Sequence, residues 1–188
     1  MVMLSAGLVL WAVVHLIPGP GRDTRQKIID AVGEKPYKGV FSLALLVALA
    51  LIVLGWRSAA VEPVYLPPAW GGLAALILMP IAIFLFGASH ARSRVKRFVR
   101  HPQLSGLAIW SVAHLLANGD NRSVLLFGGL GLWALLEMVV INRRAGEWIK
   151  PEAPALAIEF KLLVISAAVF ASLVYLHPRF AGVAALQL

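Results

Sequence analysis

Backbone that enters the hydrocarbon of a bilayer has no water to bond to, so lipid-length apolar runs confine a chain to helices that satisfy their own hydrogen bonds. Six such runs divide this sequence: Val2–Ile17, Gly39–Trp56, Gly72–Ser89, Leu104–Ala117, Val124–Ile141 and Ala157–Leu176. A span takes ~20 apolar residues, with a range down to ~17. The fourth run, 14 residues from 104 to 117, must therefore borrow flanking residues, tilt its neighbours or enter a thinned or water-lined region. Composition agrees, since 60% of the 188 residues are hydrophobic and 14% charged, with a mean hydropathy of +0.83, well outside soluble averages. The expected fold is all-α, a polytopic membrane helical bundle of about six transmembrane helices, with residues 1–188 forming a single transmembrane domain.

The formal net charge of +8 raises the question of nucleic acid, but in a membrane chain an excess of Lys and Arg reports topology. No long basic tail or aromatic-interleaved basic patch is present, and nucleic acid is excluded as a partner. Arg22, Arg25, Lys27, Lys35 and Lys38 fall between the first two runs, Arg92, Arg94, Lys96, Arg97 and Arg100 between the third and fourth, and Arg143, Arg144 and Lys150 between the fifth and sixth. The alternate connections hold only Arg57 and Arg122, and the tail Arg179. The positive-inside rule then faces both termini away from the cytoplasm, as an even number of spans requires. The first run has neither a basic start nor a small-residue cleavage pattern, so it is read as a span rather than a leader. A bacterial inner membrane with periplasmic termini is the expected location.

The first connection is expected to hold a short interfacial helix, capped by Asp23 or Thr24, carrying Ile28, Ile29 and Val32 among basic residues and stopped by Gly33. Pro63, Tyr65, Pro67, Pro68 and Trp70 suit a semi-rigid turn at the outer interface. Gly128, Gly129 and Gly131 suit close helix approach. Asn118-Gly119-Asp120-Asn121 reads as a tight turn whose residues tolerate positive φ. Glu159 and Lys161, at the start of the sixth run, are expected to snorkel or pair near the cytoplasmic surface. No repeat of fixed period is evident.

Most of the reactive side chains lie between Arg100 and Asp120. In a helix begun at Pro102, Gln103, Leu107, Trp110, Ser111, His114 and Asn118 share a face by spacings of three, four and seven. Ionisable groups at membrane depth are rare and usually face a cavity, a partner or a cofactor, which makes His114 a functional candidate. His15 ends the first run, His90 the third and His177 the sixth, and His101 precedes the fourth. No H-E-x-x-H string and no closely spaced His pair with acidic partners marks a zinc or di-iron site. The absence of cysteine excludes structural disulfides, thiolate-ligated haem, iron–sulfur clusters and covalent c-type haem. Haem b held by two imidazoles from different helices needs no local motif. His15, with Leu4, Leu8 and Trp11 on its helical face, and His114, with Leu107 and Trp110, have suitable walls. The same walls suit ordinary helix packing.

Arg100-His101-Pro102 followed by Trp110-x-x-x-His114-Leu-Leu-Ala-Asn-Gly resembles the NnrU family of membrane proteins, whose relatives include 15-cis-zeta-carotene isomerase. His15, Gly33-Glu34, Tyr37-Lys38, Phe41-Ser42-Leu43 and Leu126-Phe127-Gly128 stand in the order such proteins show, over nearly the whole chain. The resemblance implies haem b with His15 and His114 as iron ligands, Trp110 and Ser111 beside the second, and His101 in support. Asn118 would bond a ligand or a haem propionate. The isomerase carries a cysteine three residues before its second His, where this chain has Ser111. A hydroxyl is no substitute for thiolate as a soft ligand. The implied functions are redox-dependent cis–trans isomerisation of a hydrophobic polyene, or a part in nitrite and nitric oxide metabolism.

Arg100-His101-Pro102-x-x-x-Gly106 also resembles the isoprenylcysteine-type membrane methyltransferases, which bind S-adenosylmethionine beside it; Glu137 would then join the site. Leu104 and the pair Leu136 and Met138 depart from that pattern, where an aromatic residue and paired glutamates are usual. A third reading is a non-enzymatic haem-binding accessory or sensor of another membrane complex. The partners expected are the lipid bilayer, a hydrophobic small molecule or nitric oxide, and a further membrane protein.

Overall fold

The computed structural model describes residues 1–16 and 22–185, and among these the secondary structure is helical apart from one isolated bridge between Pro63 and Asp120. The helices are α1 (Val2–Leu16), α2 (Arg22–Val32), α3 (Glu34–Ser58), α4 (Gly71–His90), α5 (Pro102–Ala117), α6 (Asn121–Ala145) and α7 (Leu156–Ala181), with a 3-10 turn over Arg94–Arg97. Helix α6 contains a π-helical stretch at Val124–Gly128.

Four helices, α3, α4, α6 and α7, are long and apolar enough to cross a membrane. The other two apolar runs give shorter helices, 15 residues in α1 and 16 in α5. At ~1.5 Å per residue these reach ~22–24 Å, short of a ~30 Å hydrocarbon core. The all-α membrane fold therefore stands, with four helices of full membrane-spanning length among the described residues. The reason for α5 is local: Pro102 occupies the first turn, and Asn118 leaves the helix in an extended conformation. Ile17, the expected end of the first span, lies outside the described residues.

Two compact units group the chain, each built from two separate segments. Unit one joins 1–64 with 120–146 and contains α1, α2, α3 and α6; unit two joins 65–119 with 147–188 and contains α4, α5 and α7.

Glycine sets the closeness of packing within each unit. In unit one a Cβ on Gly7 would fall 2.8 Å from Ile52, and one on Gly55 would strike the Leu4 backbone, so α1 and α3 run antiparallel almost backbone to backbone. Gly129 of α6 takes the Leu8 side chain, with 3.4 Å left for a Cβ, whereas Gly128 faces open space. In unit two Gly71 abuts the Leu116 carbonyl, Gly106 the Ala82 carbonyl, and Gly87 the Leu162 side chain. Small residues at helix interfaces replace the hydrophobic drive that lipid cannot supply. Leu43, Leu46, Leu73, Ile77, Leu132, Leu136, Leu163 and Val164 remain exposed on the long helices, as suits a chain whose surroundings are lipid.

Gly33 ends α2 as expected, with φ of +88° separating it from α3. Asp23 and Thr24, expected to cap α2, instead lie within it, since its described residues begin at Arg22. The 118–121 segment differs from expectation, because none of its residues has positive φ. In unit two Asn118 is extended, and Gly119 is small because the Tyr65 carbonyl approaches it closely. In unit one Asp120 caps α6, accepting from the Ser123 amide at 3.0 Å and hydroxyl at 2.6 Å. Asn121 is tied to the backbone of Ala60 and Glu62. The segment is a pair of tethers rather than a free turn.

Candidate functional site

Each unit contains a half-buried histidine held in the same way. On α1 the His15 ring is half-buried and its Nδ1 donates to the Trp11 carbonyl at 2.8 Å. On α5 the half-buried His114 donates from Nδ1 to the Trp110 carbonyl at 2.9 Å. A carbonyl only accepts, so the proton sits on Nδ1 in both rings and Nε2 is the nitrogen with ligating character. The indole four residues earlier lies against each imidazole, with centroids 4.5 Å apart for Trp11 and His15 and 4.8 Å for Trp110 and His114. The underlying string, Trp-x-Val-x-His-Leu, occurs at 11–16 and again at 110–115. This recurrence is readable in the sequence, but a search for fixed-period repeats passes over a single duplicated turn.

Around His15 unit one assembles an aromatic cage that the sequence did not reveal. Trp133 of α6 stands 4.9 Å from the imidazole and 5.9 Å from Trp11, and Phe41 of α3 stands 6.3 Å away. Tyr37 stacks on Phe41 at 6.1 Å and receives the Arg25 guanidinium 5.5 Å above its ring. Among the described residues, the Trp11 and Trp133 indole N–H groups and the Tyr37 hydroxyl are buried without a hydrogen-bond partner. Unused buried donors are costly, and these three lie along one aromatic wall. Helix register adds Glu137. Leu8 meets Gly129 and Trp11 meets Trp133, so one further turn along both parallel helices brings His15 level with Glu137. That carboxylate is half-buried and has no hydrogen bond or ion pair among the described residues.

Unit two places the remaining candidates along α5. Ser111 is 2% exposed, and its hydroxyl lacks a partner among the described residues. Asn118 turns back on the helix, its Nδ2 donating to the His114 carbonyl at 2.9 Å and its amide to the same atom at 2.8 Å. Tyr65, expected only as part of a semi-rigid turn, donates its hydroxyl to the carbonyls of Asn118, at 2.8 Å, and Leu115. The end of α5 that carries His114 is thus fixed by side chains from both its own turn and the preceding connection.

His101 precedes the first turn of α5, 13 positions before His114, a separation of ~20 Å along the axis. It is therefore not beside that imidazole. His90 is exposed at the end of α4, and His177 donates to the Val183 carbonyl at 2.7 Å. Arg100 and His101 belong to unit two and Glu137 to unit one, so neither unit by itself assembles the methyltransferase set. Glu159 accepts from the Ser93 hydroxyl at 3.2 Å and from the Arg94 amide, joining the α4–α5 connection to α7.

Among the described residues no three or more His, Asp or Glu side chains converge as a metal-binding group. A porphyrin brings four nitrogens of its own and asks the protein for only one or two imidazoles. Flat aromatic walls, an imidazole presenting Nε2 and spare buried donors fit that group. No curated protein and no solved structure matches this chain. One protein-family model does, described as NnrU protein, over residues 3–185.

Proposed function

This chain belongs to the NnrU protein family, and on that premise we propose that it is an integral membrane haem b-binding protein in which His15 and His114 offer the iron ligands. The observation that carries the reading is the duplicated Trp-x-Val-x-His-Leu turn, which fixes the same tautomer and ring wall at both histidines. Bound haem would supply one-electron chemistry, and a site for a diatomic gas where one of the two imidazoles gives way.

The chain's own part is positioning and exclusion of water. The Trp11 and Trp110 carbonyls hold the imidazoles, and holding one ring nitrogen orients the other and raises its basicity. Trp133 and Phe41 close the wall at His15, and the unused donors of Trp11, Trp133 and Tyr37 are available to acceptor groups at the porphyrin edge. Ser111 offers no thiolate for a redox-linked exchange of iron ligands. On that ground we place a role in nitrite and nitric oxide metabolism ahead of polyene isomerisation. We further propose that α1 and α5 complete six spans with both termini periplasmic.

The test is an oxidised and reduced absorption spectrum of the purified protein, with His15→Ala and His114→Ala beside it. Stoichiometric b-type bands in the parent, altered in each variant, support both ligands. Bands altered in only one variant leave that histidine as the sole ligand of the pair. A haem-free parent made with ample haem supply overturns the reading, and S-adenosylmethionine binding becomes the next assay.

A further inference from the structure

A cavity of about 480 Å³ opens in unit two where the end of α4 meets the stretch before α7, lined by His90, Arg92, Ser93, Lys96, Pro151 and Glu152. We propose that it holds the phosphate headgroup of an anionic membrane phospholipid, with Arg92 and Lys96 as its cations. The assignment rests on four observations and is independent of haem.

The site is built rather than incidental. Ser93 is 2% exposed, accepts from the Val95 amide and donates to Glu159, and the Arg94 side chain donates to the Pro154 carbonyl at 2.9 Å. These bonds hold the 91–97 turn on the start of α7. The cations are also uncommitted. Glu159, the carboxylate of α7, is taken by Ser93 and by backbone, and among the described residues Arg92 and Lys96 make no ion pair or hydrogen bond through their side chains.

Charge then selects the ligand. Two cations, Arg92 and Lys96, against the one carboxylate of Glu152 leave the lining with positive charge in excess, the complement of an anionic phosphodiester. Arg provides a fork and Lys a point charge for its oxygens. Finally, Phe98 and Ile149, close in sequence to the lining residues, are 81% and 88% exposed. Apolar side chains so placed beside bases belong at the boundary between headgroups and acyl chains, and the volume is that of a small-ligand site, ~300–1,000 Å³. Basic pockets at the cytoplasmic ends of transmembrane helices take anionic headgroups in this way, and the Lys and Arg excess of this end makes it the cytoplasmic one.

The experiment is lipid retention by the full chain in native mass spectrometry, after exchange into micelles with phosphatidylglycerol or phosphatidylcholine. The parent should keep phosphatidylglycerol preferentially, and Arg92→Gln or Lys96→Gln should each weaken retention about fivefold. Glu152→Gln should strengthen it, which tests the site even where a Gln variant misfolds, and the combined exchange Arg92→Lys with Lys96→Arg should preserve it. Equal retention of phosphatidylcholine overturns the proposal. So does displacement of the lipid by millimolar inorganic phosphate, which would make the cavity a free-phosphate site.

Discussion

At the scale of single residues, the informative groups are the buried donors without partners. Ser111 sits one turn before His114 with its hydroxyl unsatisfied among the described residues. A buried hydroxyl that makes no bond costs ~1–3 kcal/mol of desolvation. Ser111→Ala should therefore be neutral or raise the melting midpoint of the haem-free protein. A clear fall would mean that the hydroxyl has a partner in solution. Trp133 gives the complementary case, since Trp133→Phe keeps the wall beside His15 but deletes an indole N–H. If haem binds as proposed, the haem content of that variant should be unchanged and its redox midpoint should shift, because a donor available to the porphyrin edge has gone; potentiometric titration of the b bands reads this directly. That His15 and His114 were candidates was legible from the sequence, since imidazoles in apolar runs stand out by composition alone. Trp133, Phe41 and Tyr37 were not, because their meeting with His15 depends on the register between helices, which one strand of sequence does not encode locally.

At the scale of elements, the apolar runs foretold helix positions closely: Gly72–Ser89 became Gly71–His90, and Ala157–Leu176 became Leu156–Ala181. Hydropathy is a local property and survives folding. What it did not convey was which helices embrace. The pairing of α1 with α3 rests on Gly7 and Gly55, which stand in apolar runs with no local mark to set them apart, unlike the clustered glycines of α6. Overpacking a filled interface costs ~1–3 kcal/mol, and at Gly55 the obstacle is the Leu4 backbone, which cannot swing aside as a side chain can. Gly55→Leu should therefore lower the thermal midpoint strongly. Gly39→Leu, whose Cβ meets nothing within 4 Å, should change it little. Equal losses in the two variants would show that α1 and α3 do not pack in this register. The same distinction separates the two ends of α5, where Pro102 was legible as a start and the Tyr65 tether was not.

At the scale of the whole molecule, the proposed topology makes a prediction about sides. If α1 and α5 complete six spans, tags at both termini should be accessible from the periplasm. Protection of both would invert the topology, and protection of one would mean an odd number of crossings. With no native cysteine, single introduced thiols report sidedness without background. The interleaving of segments bears on how the protein is made. Unit one opens with 1–64 and is finished by 120–146, with all of 65–119 between them. At ~5–20 residues per second, those 55 residues occupy the ribosome for about 3–11 s. Throughout that interval α1 and α3 have been made without α6, and the wall that Trp133 supplies to His15 has not been synthesised. Biogenesis therefore has a waiting stage, in which the first half-built unit depends on whatever else in the membrane can shelter an unfinished face.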